Sequence, residues 1–224
     1  MFFPIGDDNS RRTRVPYMTL GLVAANVVVF LGELFANSQG GLEALITHWA
    51  VIPADYTQGA GIGGPVPWTL LTSMFLHGGW AHVIGNLVYL GIFGDNVESA
   101  MGHLSFLAFY LLTGALASAA HILSAPASTL PSLGASGAIS GVLAAYLVLF
   151  PRNPVLVLVW FQVRAVPALL VIGLWAVFQL VVGAGSLMGP RETGGVAYLA
   201  HVGGFVAGLV LVRFFLPSRE RSLV

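Results

Sequence analysis

GASGAISGVLAAYLVLF, residues 134–150, opens on small residues, carries Ser136 at its mouth and ends just before Arg152. The apolar residues run on without the alternation of a strand, so the stretch reads as a helix. From Ser136 to Arg152 is sixteen residues, roughly 24 Å at a rise of about 1.5 Å per residue. A hydrocarbon core is about 30 Å thick. The helix therefore falls short of one surface, and Ser136 is expected at the floor of a water-filled depression.

The rest of the chain supplies the membrane. Of 224 residues, 57% are hydrophobic and 8% charged, with a mean hydropathy of +0.87, against roughly 25% charged in soluble domains. Six apolar runs approach the ~20 residues that a spanning helix needs: 17–35, 80–93 with polar extensions, 104–123, 136–150, 165–187 and 196–216. The expected fold is all-α, a polytopic six-helix membrane bundle. Residues 1–16 are expected as a cytoplasmic N-terminal segment, 17–216 as the membrane domain and 217–224 as a cytoplasmic tail. The run 154–161 is too short to span and reads as an interfacial or cytoplasmic-side segment. Asp7 and Asp8 argue against a cleavable leader at the N-terminus. With no cysteine, disulfides and thiolate nucleophiles or metal ligands are excluded.

Basic residues orient the bundle, because short cytoplasmic loops are rich in them. All nine are arginine, and six spans with a cytoplasmic N-terminus leave only Arg191 outside. The long outer connection 36–67 carries Glu43 and Asp55 without a base, and Trp49, Val51, Ile52 and Trp68 suit interfacial anchoring. Counted from the cytoplasmic ends, His201 lies twelve residues from Arg213 and His82 thirteen from Asp95, roughly 18 and 20 Å. Ser136, His201 and His82 thus share one layer. His82 and Asn86, at i and i+4, project from one helix face and suit donation to a single anion. Polar groups at this depth point to function, here a serine nucleophile, a histidine base and an oxyanion site.

Other residues read more simply. Gly204 and Gly208 suggest close packing of the sixth helix against the serine-bearing one. His77 is open to a structural or functional role, whereas His48, His103 and His121 look peripheral. A zinc protease would show His-Glu-x-x-His, and an aspartyl type two membrane aspartates. Neither pattern is present.

Together, Trp68 and His77, His82-Val83-Ile84-Gly85-Asn86, Gly134-Ala135-Ser136-Gly137, and Ala200-His201-Val202-Gly203-Gly204 with Gly208 resemble the rhomboid family of intramembrane serine proteases. The resemblance implies a six-helix core, a catalytic dyad of Ser136 and His201, and an oxyanion site from His82, Asn86 and the Ser136 amide. His77, Gly134 and Gly137 support that site. It implies no metal and no organic cofactor. The expected partners are transmembrane protein substrates and the lipid bilayer, with no nucleic acid and the oligomeric state open. The expected location is a prokaryotic plasma membrane, with both termini in the cytoplasm.

The same resemblance makes the fifth span, with Trp175 and Phe178, a candidate lateral gate, and the glycine-rich stretch 183–195 suggests a mobile cap. Two positions depart from the family pattern: Thr69 follows Trp68 where arginine is common, and Ser140 stands where an aromatic residue often supports the histidine ring. The alternatives are a rhomboid-like helix binder that does not cut, and a proton-coupled transporter using His82 and His201.

Overall fold

A computed structural model describes residues 2–59, 66–188 and 197–217. Long helices form at all six apolar runs: α1 (Tyr17–Ser38), α5 (Trp80–Met101), α6 (His103–Ser124), α7 (Ser136–Leu149), α8 (Ala168–Met188) and α9 (Tyr198–Phe215). Shorter helices α2 (Leu42–Trp49), α3 (Pro53–Thr57) and α4 (Thr69–Thr72) fold the connection between α1 and α5. Among the described residues, α1, α6, α8 and α9 are long and apolar enough to cross a membrane. The protein is thus a polytopic helical membrane protein. α5 is as long but carries Asn86, Asp95, Asn96 and Glu98, and α7 is a shorter apolar helix of 14 residues.

α7 forms the axis of the bundle. Every residue from Gly137 to Tyr146 is buried, and α6 and α9 cover it on two sides. Glycine makes this close approach possible. A Cβ on Gly204 would collide with the Gly137 carbonyl oxygen, and one on Gly208 would lie 2.5 Å from that of Gly141. A Cβ on Gly137 would lie 2.7 Å from Ala117 of α6. Packing is thus limited by backbone, as small residues at membrane helix contacts allow. Because His201 stands one turn before Gly204 and Ser136 immediately before Gly137, this contact also brings the two polar residues together.

The run 154–161 is not a plain interfacial segment. Strands β1 (Phe2–Asp7), β2 (Pro154–Val159) and β3 (Gln162–Pro167) form an antiparallel sheet in that order. β2 alternates, burying Val155 and Val157 against the bundle and exposing Leu156 and Leu158. Trp160 and Phe161 form the hairpin tip at φ 47° and 67°. The N-terminal residues, expected as a separate segment, are therefore paired with a strand some 150 positions away and fastened to the bundle.

That fastening centres on the carboxyl end of α5. Arg12 pairs with Asp95 at 2.7 Å. Asn96 donates to Asp7 at 2.8 Å and to Asn9 at 2.9 Å, while the Tyr146 hydroxyl donates to Asp7 at 2.5 Å. Burial pushes the Asp7 carboxyl up to about 6 despite these two donors. Glu98, fully buried, accepts from the Met18 and Thr19 amides at 2.9 and 2.7 Å and from the Thr19 hydroxyl at 2.7 Å. It also lies 2.6 Å from His103 Nδ1. Pro16 supplies no cap to α1, so a carboxylate from another helix satisfies the first amides and meets the positive end of its dipole. His103, read as peripheral, is part of this cluster.

Candidate active site

The α1–α5 connection and the segment before α7 set the floor on which the site is built. Val51 exchanges backbone bonds with Ser132 (3.1 and 2.7 Å), and Ala54 donates to Ser128 at 2.9 Å, tying the outer connection to the chain that leads into α7. Gly134 donates to the Ser73 carbonyl at 2.8 Å. Its φ is +120°, and a Cβ there would stand 2.6 Å from His82 Nε2, so both backbone conformation and space require glycine. Where the family commonly places arginine, Thr69 is buried and its hydroxyl lies 2.6 Å from that of Tyr56. Both hydroxyls lie on the Val66 carbonyl, at 2.8 Å from Tyr56 and 2.9 Å from Thr69. A hydroxyl pair thus secures this part of the outer connection.

Ser136 is the first residue of α7, where backbone amides lack partners within the helix. Its Oγ lies 2.7 Å from His201 Nε2. On its other side His201 Nδ1 lies 2.8 Å from Gln179 Oε1 of α8. An amide oxygen only accepts, so Nδ1 carries the proton and Nε2 presents its lone pair to the serine hydroxyl. The rings of Trp175 and Tyr198 flank the imidazole with centroids 6.1 and 6.4 Å away. Ser140 turns back instead, donating to the Ser136 carbonyl at 2.6 Å. The histidine is therefore held by α8 and α9 and not from the position four residues after the serine.

His82 and Asn86 face the same space from α5. His82 Nδ1 accepts from the Gly78 amide at 3.3 Å, which in the neutral ring leaves the proton on Nε2, the atom nearest Gly134. Asn86 Nδ2 is buried without a protein partner among the described residues. Ser136, His201, His82 and Asn86 line one cavity of about 770 Å³. A serine hydroxyl with an imidazole acceptor and two N–H donors, set at the amino end of a helix, can attack a carbonyl carbon and hold the oxygen that becomes negative.

His77 lies behind this group. Its amide donates to both Glu33 oxygens at 3.0 and 3.1 Å, its Nδ1 lies 3.1 Å from the Phe75 carbonyl, and its ring meets that of His82 edge-on at 5.1 Å. Gly137 serves the α7–α9 contact. Sequence reading missed three residues here. Glu33 is a buried carboxylate in α1, Gln179 reaches His201, and His121, read as peripheral, lines the cavity. A polar residue inside an apolar run is the one signal that marks Glu33 and Gln179. Trp175, offered for a gate, lines the cavity, whereas Phe178 is exposed. Of the stretch offered as a cap, 183–188 belongs to α8 and 189–195 lies outside the described residues.

Residues 65–218 match the Rhomboid domain family model. The chain is 30% identical over 155 residues to Rhomboid-like protein 11, chloroplastic, of Arabidopsis thaliana, covering 66% of this chain and 52% of that one. It is 31% identical to Rhomboid protein 1, mitochondrial, of Saccharomyces cerevisiae, covering 69% and 43%. It is 33% identical to Rhomboid protease GluP of Bacillus subtilis, covering 59% and 24%. The chain spans about half the length or less of these relatives. They come from a chloroplast, a mitochondrion and a bacterium, so kinship supports a membrane and does not support the expected prokaryotic plasma membrane over the others. With more than half of its length matched, the chain belongs to the rhomboid family.

Proposed function

We propose that the protein is an intramembrane serine endopeptidase that hydrolyses peptide bonds in or near transmembrane segments of membrane proteins. The observation that carries this reading is the 2.7 Å approach of Ser136 Oγ to His201 Nε2 inside a cavity also lined by His82 and Asn86. His201 Nε2 takes the hydroxyl proton as Ser136 Oγ attacks the carbonyl carbon. The oxygen, now negative, is met by the Ser136 amide, His82 Nε2–H and Asn86 Nδ2. The imidazolium returns its proton to the leaving nitrogen as the peptide C–N bond breaks. Water then attacks the acyl-serine by the same route, releasing the acid and restoring the hydroxyl.

Six membrane spans with both ends on the cytoplasmic side account for the arginine distribution and open the cavity outward. A substrate helix hides its carbonyls in internal bonds and has to unwind locally before one can reach Ser136. Spans weakened by glycine or proline near their outer ends are therefore the preferred substrates. The test is reaction of the purified protein with a serine-directed phosphonate, followed by mass spectrometry and a transmembrane reporter. Modification of Ser136 together with cleavage in the outer part of the reporter span supports the reading. Neither modification nor cleavage would leave a helix binder or a transporter.

A further inference from the structure

Gln179 is the one charged or amide side chain of α8, with the apolar and exposed Val177, Phe178 and Leu180 around it in sequence. It sits eleven residues from Ala168, roughly 16 Å along the helix, so it lies at hydrocarbon depth. An amide there is unfavourable unless bonded. Gln179 is only 7% exposed and turns inward, with Oε1 2.8 Å from His201 Nδ1.

We infer that Gln179 is a positioning residue for His201, selecting the imidazole tautomer that can accept the Ser136 proton; the inference rests on the protease reading above. With Nδ1–H donated to Oε1, the lone pair of Nε2 points at Ser136 Oγ. The other tautomer would place a proton on Nε2, between base and nucleophile, where none can be removed from the hydroxyl. The same contact fixes the plane of the ring, while Trp175 and Tyr198 limit its tilt. The amide has a further advantage over a carboxylate: it orients the ring without a second charge at membrane depth. Among the described residues the other titratable side chains near His201 are His82 of α5, His121 of α6 and Tyr198 of α9, so Gln179 gives the ring a neutral acceptor where these residues offer no carboxylate.

Three full-length variants in detergent or proteoliposomes separate positioning from packing. Gln179→Leu keeps the volume and removes the acceptor; kcat on the transmembrane reporter falls about 100-fold with KM nearly unchanged. Gln179→Glu restores the acceptor and adds charge; it recovers most of kcat, and the acidic limb of its pH profile moves to higher pH, because a carboxylate stabilises the imidazolium. Gln179→Met, apolar and flexible, behaves as the leucine variant does. Nitrogen-15 spectra of the histidines supply a readout independent of turnover: His201 shows a protonated Nδ1 and an unprotonated Nε2 in the parent, and a tautomer mixture in Gln179→Leu. Unchanged kcat in Gln179→Leu, or an unchanged tautomer there, overturns the inference while leaving the protease reading intact. No cleavage by the parent and no phosphonate on Ser136 overturns both.

Discussion

The two ends of α5 carry similar residues and treat them differently. At the carboxyl end Asp95, Asn96 and Glu98 each find partners: an arginine, two side-chain oxygens, and two backbone amides with a hydroxyl and a histidine. At its amino end, about two and a half to four and a half turns away, Asn86 Nδ2 is buried with no partner among the described residues, where His82 has only the long bond from Gly78. Buried polar groups are nearly always satisfied, so an exception calls for an explanation. Saturated groups hold the fold together. Donors left open can meet something that arrives, in the proposed mechanism the oxygen of a carbonyl under attack. The same helix thus serves as a structural post at one end and as a binding surface at the other.

The sharpest way to break this contrast is at the serine itself. Ser136→Ala and His201→Ala should each lower kcat by roughly 10⁶-fold, with the double variant no worse, since they remove two halves of one unit. Helical content and melting temperature should stay near those of the parent. Substantial cleavage by Ser136→Ala, measured on a transmembrane reporter, would end the serine mechanism.

At the carboxyl end of α5 the expected loss is of stability. Glu98→Ala strands the Met18 and Thr19 amides and the His103 ring, and should destabilise the protein by about 4 kcal/mol. Chemical unfolding in mixed micelles reads this directly. An unaltered unfolding midpoint would show that the saturated cluster does not hold α1.

Asn86→Ala should behave in the opposite sense. Removing an open donor forfeits no existing bond, so stability should change by less than about 1 kcal/mol. Loss of one oxyanion donor should raise the barrier by about 3 kcal/mol, seen in kcat. Marked unfolding of this variant with normal activity in the surviving fraction would reverse the assignment of the two ends.

The smallest expected effect is a pH dependence of the N-terminal strand. The Asp7 carboxyl titrates near 6 in the folded protein against 3.8 in its ordinary setting, chiefly because it is buried. Folded β1 therefore binds more protons than the unfolded strand between these values. Its attachment is strongest below about pH 4 and weakens as pH rises through about 6. Hydrogen exchange of β1 amides, corrected for intrinsic rates, should show protection falling across that window in the parent and staying flat in Asp7→Asn. Parallel curves for the two would remove Asp7 from the latch.

Much of this molecule is determined within short stretches of chain. Continuous apolar runs set helices at six places, because burying apolar surface in lipid depends on composition and length alone. The i, i+4 spacing put His82 and Asn86 on one face, and distance from Arg152, Arg213 and Asp95 set Ser136, His201 and His82 at one expected depth. The glycines at 204 and 208 marked a close contact for the same local reason. Tertiary structure decided what depends on rotation and pairing. A run of residues 154–161 says nothing of its partner, and only folding joins it to residues 2–7 across some 150 positions. Glu33, Glu98, His121 and Gln179 likewise take their meaning from the direction in which each helix is turned. That direction is set by backbone contacts such as Gly137 against Gly204, and helical periodicity within a single segment carries no information about the neighbour it will meet.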